Sequence, residues 1–343
     1  MRGNDNAMRY FLGMDVGGTK THCLVANERG LLLGFGQGGC GSYEYHGVEP
    51  ATRENRVALK AALEESNLTL AEIASVGLGV AGADLPEDFE MLEREIYTPL
   101  FGEISRRFKN DSMAALRGGT RSDHGIVIVC GTGSVCAGRN HAGEETRVGG
   151  LGAEFGDQCT GAGIGEEGIR AVWRARDGIE APTLLTQKFV GRSGLADVEE
   201  LFRAIYRRTL SYDALEPMAK LVFEAALEGD SPARAILERG GRYLASMVNA
   251  VASKLGMQEA AFEVITAGSV FKGQAPDLID AMTVEIRRRC PLAECIPLAY
   301  EPVVGALMMA YEEAGALTDE VYIGLQESLP HVEDRYGITL RTS

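Results

Sequence analysis

Two short segments of the chain combine glycines with hydroxyl side chains directly after an apolar stretch. In the first, the turn Gly17-Gly18-Thr19-Lys20 follows a mostly apolar stretch whose last two residues are Asp15 and Val16. A glycine turn of this kind points consecutive backbone N–H groups outward, and Thr19 adds a hydroxyl donor, so the segment can bind a phosphate. Asp15 is placed to hold Mg²⁺ through water. Because a strand follows, this is not a Walker A loop, and an ordinary hairpin turn is the alternative interpretation.

The second segment, Gly131-Thr132-Gly133-Ser134, also lies between two apolar stretches and offers the same kinds of donor. One such loop is a weak signal. Two loops on separate strand pairs can form a clamp that holds the β- and γ-phosphates of a nucleotide between two lobes. The sequence therefore predicts an ATP site to which both loops contribute.

Asp111 stands between the two loops in the sequence, at a predicted strand-to-helix junction. A carboxylate in this position can accept the proton of a substrate hydroxyl as that hydroxyl attacks the γ-phosphate. Asp111 is therefore the candidate catalytic base. The alternative is that its side chain only caps the helix N-terminus.

A glycine-rich segment runs from Gly149, Gly150, Leu151 and Gly152 to Asp157. Glycines in this number around one aspartate predict a loop pressed against a ligand. Asp157 can bind sugar hydroxyls or position a metal-bound water, and a surface loop is the alternative.

Two further glycine patterns differ in what they indicate. Gly268-Ser269 follows a predicted strand, and a glycine there lets the backbone lie along an adenine ring. The run Gly34-Phe35-Gly36-Gln37-Gly38-Gly39 satisfies GxGxxG, but no helical pattern follows it and no acidic residue ends a next strand. A dinucleotide site is therefore not favoured there.

The elements that must position these residues alternate between strands and helices. Apolar patterns predict strands at 9–16, 21–27, 31–36, 75–80, 104–108, 125–130, 135–138 and 262–266. Helical spacing predicts helices at 49–66, 86–101, 112–117, 166–176, 197–210, 213–228, 232–255, 276–289 and 302–314. The tail from 326 shows no clear pattern.

The strand, glycine turn and returning strand occur twice, which indicates two lobes of similar design. The polar, glycine-rich stretch 118–124 marks the boundary. We expect an N-terminal lobe at 8–118, completed by a helix at 302–314, and a C-terminal lobe at 119–300.

Composition excludes several classes of protein. The 343 residues carry a net charge of -15, which argues against nucleic acid as a partner. No apolar run is long enough for a membrane span and no signal peptide is evident, so we expect a cytoplasmic protein. The seven cysteines are scattered without a CxxC pair and predict free thiols, and the five histidines show no zinc-site spacing.

With these segments in place, the chain resembles the N-acetylglucosamine kinase family, which is grouped with the BadF/BadG/BcrA/BcrD-type ATPases. The resemblance spans about residues 9–315 and depends on the order of its motifs, which include Gly39–Gly47 and Gly77–Asp84 besides those above. It implies an α/β protein with two ribonuclease-H-like lobes of the actin-like ATPase fold and an active site in the cleft between them. It also implies a homodimer that uses ATP and Mg²⁺.

The resemblance implies a role for each motif. Asp111 would be the base, and Asp157 with Gly149–Gly152 would contact the sugar. The nucleotide site would include Thr19, Thr132 and Gly268. Three positions depart from the family pattern: Ser42 where relatives place a sugar-binding asparagine, Leu151 in place of a tryptophan, and Gln158 in place of a glutamate. The sugar is therefore open among N-acetylglucosamine, glucosamine, another amino sugar, a plain hexose and an anhydro-sugar.

Two other functions are compatible with parts of this pattern. The first is an ATPase that activates a partner enzyme, like the dehydratase activators that hold an iron–sulfur cluster between two subunits. The cysteines here do not reproduce their pattern, and such a protein would not need Asp111. The second is a sugar-sensing repressor, which the net charge and the absence of a DNA-binding segment before the first strand disfavour.

Overall fold

The computed structural model describes residues 8–210 and 216–342 and divides into two compact units. Unit 1 contains residues up to 122 and from 297 onward, and unit 2 contains residues 123–296. The assignment of residues 8–118 with 302–314 to one domain and of 119–300 to the other stays a prediction.

Unit 1 is built on a five-stranded sheet in the order β3-β2-β1-β4-β5. Its strands are β1 Tyr10–Val16, β2 Thr21–Asn27, β3 Leu32–Gly38, β4 Ile73–Val80 and β5 Arg106–Asn110. The first three strands form an antiparallel meander, whereas β4 and β5 run parallel to β1. This arrangement is the ribonuclease-H-like sheet that the resemblance implies.

Helices cover both faces of this sheet. They are α1 Tyr43–His46, α2 Val48–Ser66, α3 Pro86–Leu92, α4 Thr98–Phe101, α5 Asp111–Gly119, α12 Pro302–Glu313 and α13 Asp319–Tyr336, with a π-helical turn at Glu93–Tyr97 between α3 and α4. Leu12 and Met14 belong to the core on one face, and Phe11 belongs to the core on the other. Because both faces are covered, β1 appears in the sequence as a continuous apolar run rather than as an alternating one.

The GxGxxG run serves helix packing. Gly34, Gly36 and Gly38 all lie on β3, and a Cβ on each would lie 2.2, 2.0 and 2.2 Å from a backbone oxygen of α2. The alternating glycines therefore let α2 pack directly against the strand backbone, in agreement with the rejection of a dinucleotide site.

Unit 2 repeats the design with a sheet in the order β8-β7-β6-β9-β10. Its strands are β6 Gly125–Cys130, β7 Ser134–Arg139, β8 Glu145–Gly149, β9 Phe262–Ala267 and β10 Ala293–Pro297. Its helices are α6 Gly161–Arg176, α7 Leu185–Ser193, α8 Val198–Tyr206, α9 Glu216–Leu227, α10 Ser231–Lys254 and α11 Asp277–Arg287. The equivalent strand order of the two sheets confirms the internal repeat.

The elements that sequence analysis did not predict are short or polar, with one exception. They are α1, α7, β8, β10 and α13. The exception is α13, in which the buried Val321, Leu325 and Leu329 recur at helical spacing. The many polar residues of the tail made this spacing hard to recognise in the sequence. The predicted helix at 213–228 begins at residues that lie outside the described part of the chain.

In residues 8–210 and 216–342, no helix combines the length and the apolar character that a membrane crossing requires.

Candidate active site

The three parallel strands of unit 1 end side by side. The register pairs Val16 with Val80, and Val80 with Asn110. The segments that follow β1, β4 and β5 therefore leave the sheet at one edge, where parallel α/β sheets bind their ligands. This edge, called the acidic edge below, brings together the Gly17–Lys20 turn, the Ala81–Asp84 turn and Asp111.

The first predicted phosphate loop is a tight hairpin between β1 and β2. The N–H of Gly17 donates to the carbonyl of Lys20 at 3.0 Å, and the carbonyl of Gly17 accepts from the N–H of Gly41 at 3.1 Å. A Cβ on Gly18 would lie 2.5 Å from the exposed Tyr45 ring, so a side chain there would displace that ring. Thr19 and Lys20 are exposed, which leaves their side chains available to a ligand.

Asp15 is a carboxyl group of the acidic edge with a shifted pKa. Burial, together with the neighbouring carboxylates of Asp111 and Glu301 and against an opposing effect of Lys20, raises the pKa of Asp15 to about 8. A cation bound beside Asp15 would stabilise its charged form. The oxygen-rich set fits Mg²⁺, which prefers carboxylate and water ligands.

Asp111 is not the cap of its helix. The N-cap of α5 is Asn110, whose side-chain oxygen accepts from the Ser112 N–H at 3.1 Å. The Asn110 amide donates to the Asp84 carboxylate at 3.0 Å and so ties β5 to the Ala81–Asp84 turn. The capping alternative for Asp111 is therefore wrong, because the preceding asparagine satisfies the helix N-terminus.

The Gly39–Gly47 segment is held in place by side chains of β2 and α2. The Thr21 hydroxyl donates to the Gly39 carbonyl at 3.0 Å, the Asn55 amide donates to the Gly41 carbonyl at 3.1 Å, and Glu54 accepts from the Gly39 N–H at 2.9 Å. Ser42 is 1% exposed, and its hydroxyl is buried within unit 1. A direct contact of Ser42 with a sugar would therefore require this segment to move.

In unit 2 the two predicted nucleotide segments meet. Strands β6 and β9 are parallel and pair Val129 with Ala267, so the turns after them are neighbours. Gly268 has a φ of 100°, and a Cβ there would lie 2.2 Å from the Cys130 carbonyl oxygen. A Cβ on Gly131 would lie 3.2 Å from the Ser269 hydroxyl, which shows how closely the two turns approach.

Only part of the second predicted phosphate loop is exposed to solvent. The Gly131 N–H donates to the Gly133 carbonyl at 2.9 Å, and the Gly131 carbonyl accepts from the Gly161 N–H at 2.8 Å. Thr132 and Gly133 are exposed, whereas Ser134 is buried as the first residue of β7. The exposed donors of this loop are therefore those of Thr132 and Gly133.

A cavity of about 720 Å³ lies within unit 2 beside these turns. Its lining includes Gly161, Lys220, Phe223, Ser269, Lys272 and Gly273. The sequence analysis missed this cavity, because its walls come from α9 and from the segment after β9 and form no local motif. An apolar wall with two lysines is suited to a nucleoside that carries phosphates.

Asp157 organises the glycine-rich segment. One carboxylate oxygen accepts from the N–H groups of Leu151 and Gly152, at 2.8 and 2.7 Å. Gly149, Gly150 and Gly152 have φ values of 70°, 80° and 107°, a conformation that side chains rarely adopt. Leu151 is 49% exposed, so the loop presents an apolar side chain to solvent.

Comparisons with known proteins agree with this arrangement. The profile of the BadF/BadG/BcrA/BcrD ATPase family matches residues 12–310. The chain is 30% identical to the N-acetyl-D-glucosamine kinase of Dictyostelium discoideum, over 88% of this chain and 97% of that protein. It is 29% identical to the N-acetylmuramic acid/N-acetylglucosamine kinase of Clostridium acetobutylicum, over 89% of this chain and 99% of the relative.

A solved structure shows the same fold. A Chromobacterium violaceum protein, provisionally assigned as an N-acetylglucosamine kinase, superposes with a TM-score of 0.67 at 24% identity. The match covers 88% of this chain and 98% of that one.

Proposed function

Because the chain belongs to the BadF/BadG/BcrA/BcrD ATPase family, we propose that it is an ATP-dependent kinase that transfers the γ-phosphate of ATP to a hydroxyl group of an amino sugar or hexose. N-acetylglucosamine and glucosamine are the first candidates. The observation that carries the proposal is the acidic edge of unit 1, where Asp111 lies near Asp15 and the Gly17–Lys20 turn while Asn110 caps the helix. Two full-length relatives with kinase names support it.

In this proposal Asp111 is the catalytic base. Its carboxylate accepts the proton of the sugar hydroxyl as the oxygen attacks the γ-phosphate. Asn110 supports this role, because its hydrogen bonds to Ser112 and Asp84 fix the first turn of α5, which carries Asp111. Asp111 thereby acts from a rigid helix N-terminus.

The nucleotide would be bound by backbone donors and by the cavity of unit 2. Gly17, Gly18, Thr19 and Lys20 together with Gly131, Thr132, Gly133 and Ser134 are the proposed phosphate ligands. Ser269, which lines the 720 Å³ cavity, and the preceding Gly268 would contact the adenosine. Asp15 would hold Mg²⁺ through water, and the bound ion would neutralise charge on the phosphates.

The sugar site is proposed at Ser42, Gly149, Gly150, Leu151, Gly152 and Asp157. Asp157 already uses one carboxylate oxygen to hold the loop backbone. Its proposed contribution is therefore to shape the sugar wall and to offer its second oxygen to a hydroxyl group. The exposed Leu151 and the buried Ser42 are the positions where specificity would differ from that of the relatives.

The cysteine thiols do not support the alternative function, an ATPase that activates a partner enzyme through an iron–sulfur cluster. Of the seven free cysteines, five are buried and only Cys40 and Cys295 are half-buried. Burial raises the pKa of Cys23 and Cys136, which disfavours the thiolate that an iron–sulfur cluster needs. A homodimer and a cytoplasmic location stay predictions.

A sugar panel tests the proposal. Purified protein is incubated with ATP, Mg²⁺ and one sugar at a time, and ADP release is followed by a coupled assay. We expect ADP release that depends on at least one amino sugar or hexose. ADP release that no sugar stimulates, together with an unchanged rate in D111N, would contradict the proposal.

A further inference from the structure

Three side chains of unit 2 meet at the start of β6. Asp123 and His124 immediately precede β6, and His141 lies in the turn after β7. The antiparallel register pairs Gly125 with Arg139. Extending it by two residues places Asp123 opposite His141, so the hairpin brings together residues whose spacing in the sequence indicated no metal site.

The distances within this triad match those between the ligands of one metal ion. Nδ1 of His124 lies 3.0 Å from Oδ1 of Asp123, and Nδ1 of His141 lies 3.5 Å from the same oxygen. The ligand atoms of all three side chains lie within 4.8 Å of one another. A tetrahedral Zn²⁺ site with bonds of about 2.0–2.1 Å has edges of about 3.3 Å, which lies between the two measured values.

The partner of the other ring nitrogen fixes the tautomer of His124. Its Nε2 lies 3.1 Å from the carbonyl oxygen of Ala261, and a carbonyl can only accept a hydrogen bond. Nε2 therefore carries the proton, and a neutral ring turns the Nδ1 lone pair toward the Asp123 carboxylate. Two electron-rich atoms 3.0 Å apart require a proton or a metal ion between them. Metal-ligating histidines commonly donate the N–H of their other ring nitrogen to a backbone carbonyl in this way.

The second histidine adds a donor atom to the same carboxylate oxygen. The rings of His124 and His141 stack with their centroids 3.5 Å apart, and Nδ1 of each lies within 3.5 Å of Oδ1 of Asp123. A single metal ion can satisfy both Nδ1 lone pairs and the carboxylate at once. The turn that carries His141 is ordered, because the Asn140 side-chain oxygen accepts from the N–H groups of Ala142 and Glu144, both at 3.0 Å.

We propose that Asp123, His124 and His141 form a binding site for one divalent transition-metal ion, with Zn²⁺ as the best match and one position open to water. Two imidazoles and one carboxylate favour Zn²⁺, Co²⁺ or Ni²⁺ over Mg²⁺, which prefers oxygen ligands. The site lies at the opposite end of β6 from the Gly131 turn, roughly 20 Å away at about 3.3 Å per strand residue. It is therefore separate from the proposed nucleotide-binding turns and does not depend on the proposed kinase activity.

The test is Co²⁺ and Zn²⁺ binding by the tag-free full-length protein after treatment with a chelator. Visible absorption of Co²⁺ reports the ligand geometry, and equilibrium dialysis gives the number of ions bound. H141A and H124A remove one ligand each, and H331A is the matched control because His331 is exposed elsewhere in the chain. Thermal unfolding with and without Zn²⁺ provides an independent readout, since a ligand of the folded state raises its stability.

We expect one ion per chain, an increase in unfolding temperature with Zn²⁺, and wild-type behaviour in H331A. H141A and H124A should each weaken binding by more than about 100-fold, beyond the loss typical of an outer-shell partner. Circular dichroism checks that both variants are folded, and if one is not, D123N takes its place. The absence of stoichiometric binding, or binding that survives in both histidine variants, would overturn the proposal.

Discussion

The two units share one sheet design, but the edges at which their parallel strands end carry different chemistry. The acidic edge of unit 1 brings Asp111 and Glu301 near Asp15, beside the Gly17–Lys20 turn. The corresponding edge of unit 2 offers exposed N–H groups, hydroxyls and a cavity lined by Phe223 and two lysines. The strand order therefore determines where a ligand can bind, and the residues after each strand determine whether that place is suited to proton transfer or to nucleotide binding.

The largest effect is expected from removing the base of the acidic edge. D111N should lower kcat by about 10²–10⁴, which is the usual contribution of a positioned general base. ATP affinity should change little, because Asp111 is proposed to act on the sugar hydroxyl and is not one of the proposed phosphate ligands. Steady-state kinetics and ATP titration of the same preparation measure both effects.

D319N, at an exposed aspartate in the first turn of α13, is the control and should behave as wild type. Equal losses in D111N and D319N, or a loss in D111N of ATP affinity alone, would remove the distinction between the two edges.

The next effect concerns the glycine that brings the two turns of unit 2 together. G268A introduces a Cβ 2.2 Å from the Cys130 carbonyl oxygen at a φ of 100°. We expect a loss of about 2 kcal/mol or more in the free energy of unfolding, because strain and steric overlap add. ATP affinity should fall as well, since Ser269 is displaced from Gly131.

G256A is the matched control, because Gly256 also has a positive φ of 64° but has no atom within 4 Å of the added Cβ. It should cost only about 1 kcal/mol and leave ATP affinity intact. If both variants lose the same stability, the close approach of the two turns is not what requires glycine at 268.

The third prediction uses the raised pKa of Asp15, about 8 against an ordinary value of 3.8. Between these two values the folded protein keeps a proton that the unfolded chain releases. Stability should therefore fall as the pH rises from about 4 to about 8. D15N removes this contribution, so its unfolding temperature should depend less on pH in that window.

Thermal unfolding between pH 5 and pH 8.5 measures this difference. Binding of Mg²⁺ with ATP should also release the proton of Asp15 near pH 7, which calorimetry in buffers of different ionisation enthalpy detects. Identical pH profiles for wild type and D15N would show that Asp15 is ionised throughout.

The smallest effect is expected at the apolar side chain of the glycine-rich segment. L151A should change the KM for the sugar by at most about 10-fold, because a half-exposed apolar side chain contributes at the low end of the usual range of about 1–3 kcal/mol. The KM for ATP and the unfolding temperature should stay unchanged, since Leu151 is half exposed. A larger change in the KM for ATP than in that for the sugar would assign this loop to the nucleotide.

Local motifs were readable from the sequence, whereas groups assembled by topology were not. The turn after β1 and the turn after β6 were predicted because each contains its own strand, glycines and hydroxyl. Glu301 is close to Asp15 only because the chain returns to unit 1 after residue 296, so no spacing in the sequence could reveal it.

The side chains around the predicted residues explain two further differences. Asn110, one residue before Asp111, takes the capping role that a carboxylate could have had. Asp123 and His141 become neighbours through the β6–β7 register, which scattered histidines do not reveal. In both cases the decisive information is the pairing of elements and not the residue type.

The proposed role of the Asp111 carboxylate is in transfer of phosphate to a sugar and not in hydrolysis of ATP. Phosphorus NMR of a reaction with ATP, Mg²⁺ and N-acetylglucosamine or glucosamine tests this role directly. We expect one sugar phosphate ester for each ADP formed with wild type, and neither product above background with D111N. Formation of ADP with inorganic phosphate alone, at the same rate with and without each sugar of the panel, would contradict it.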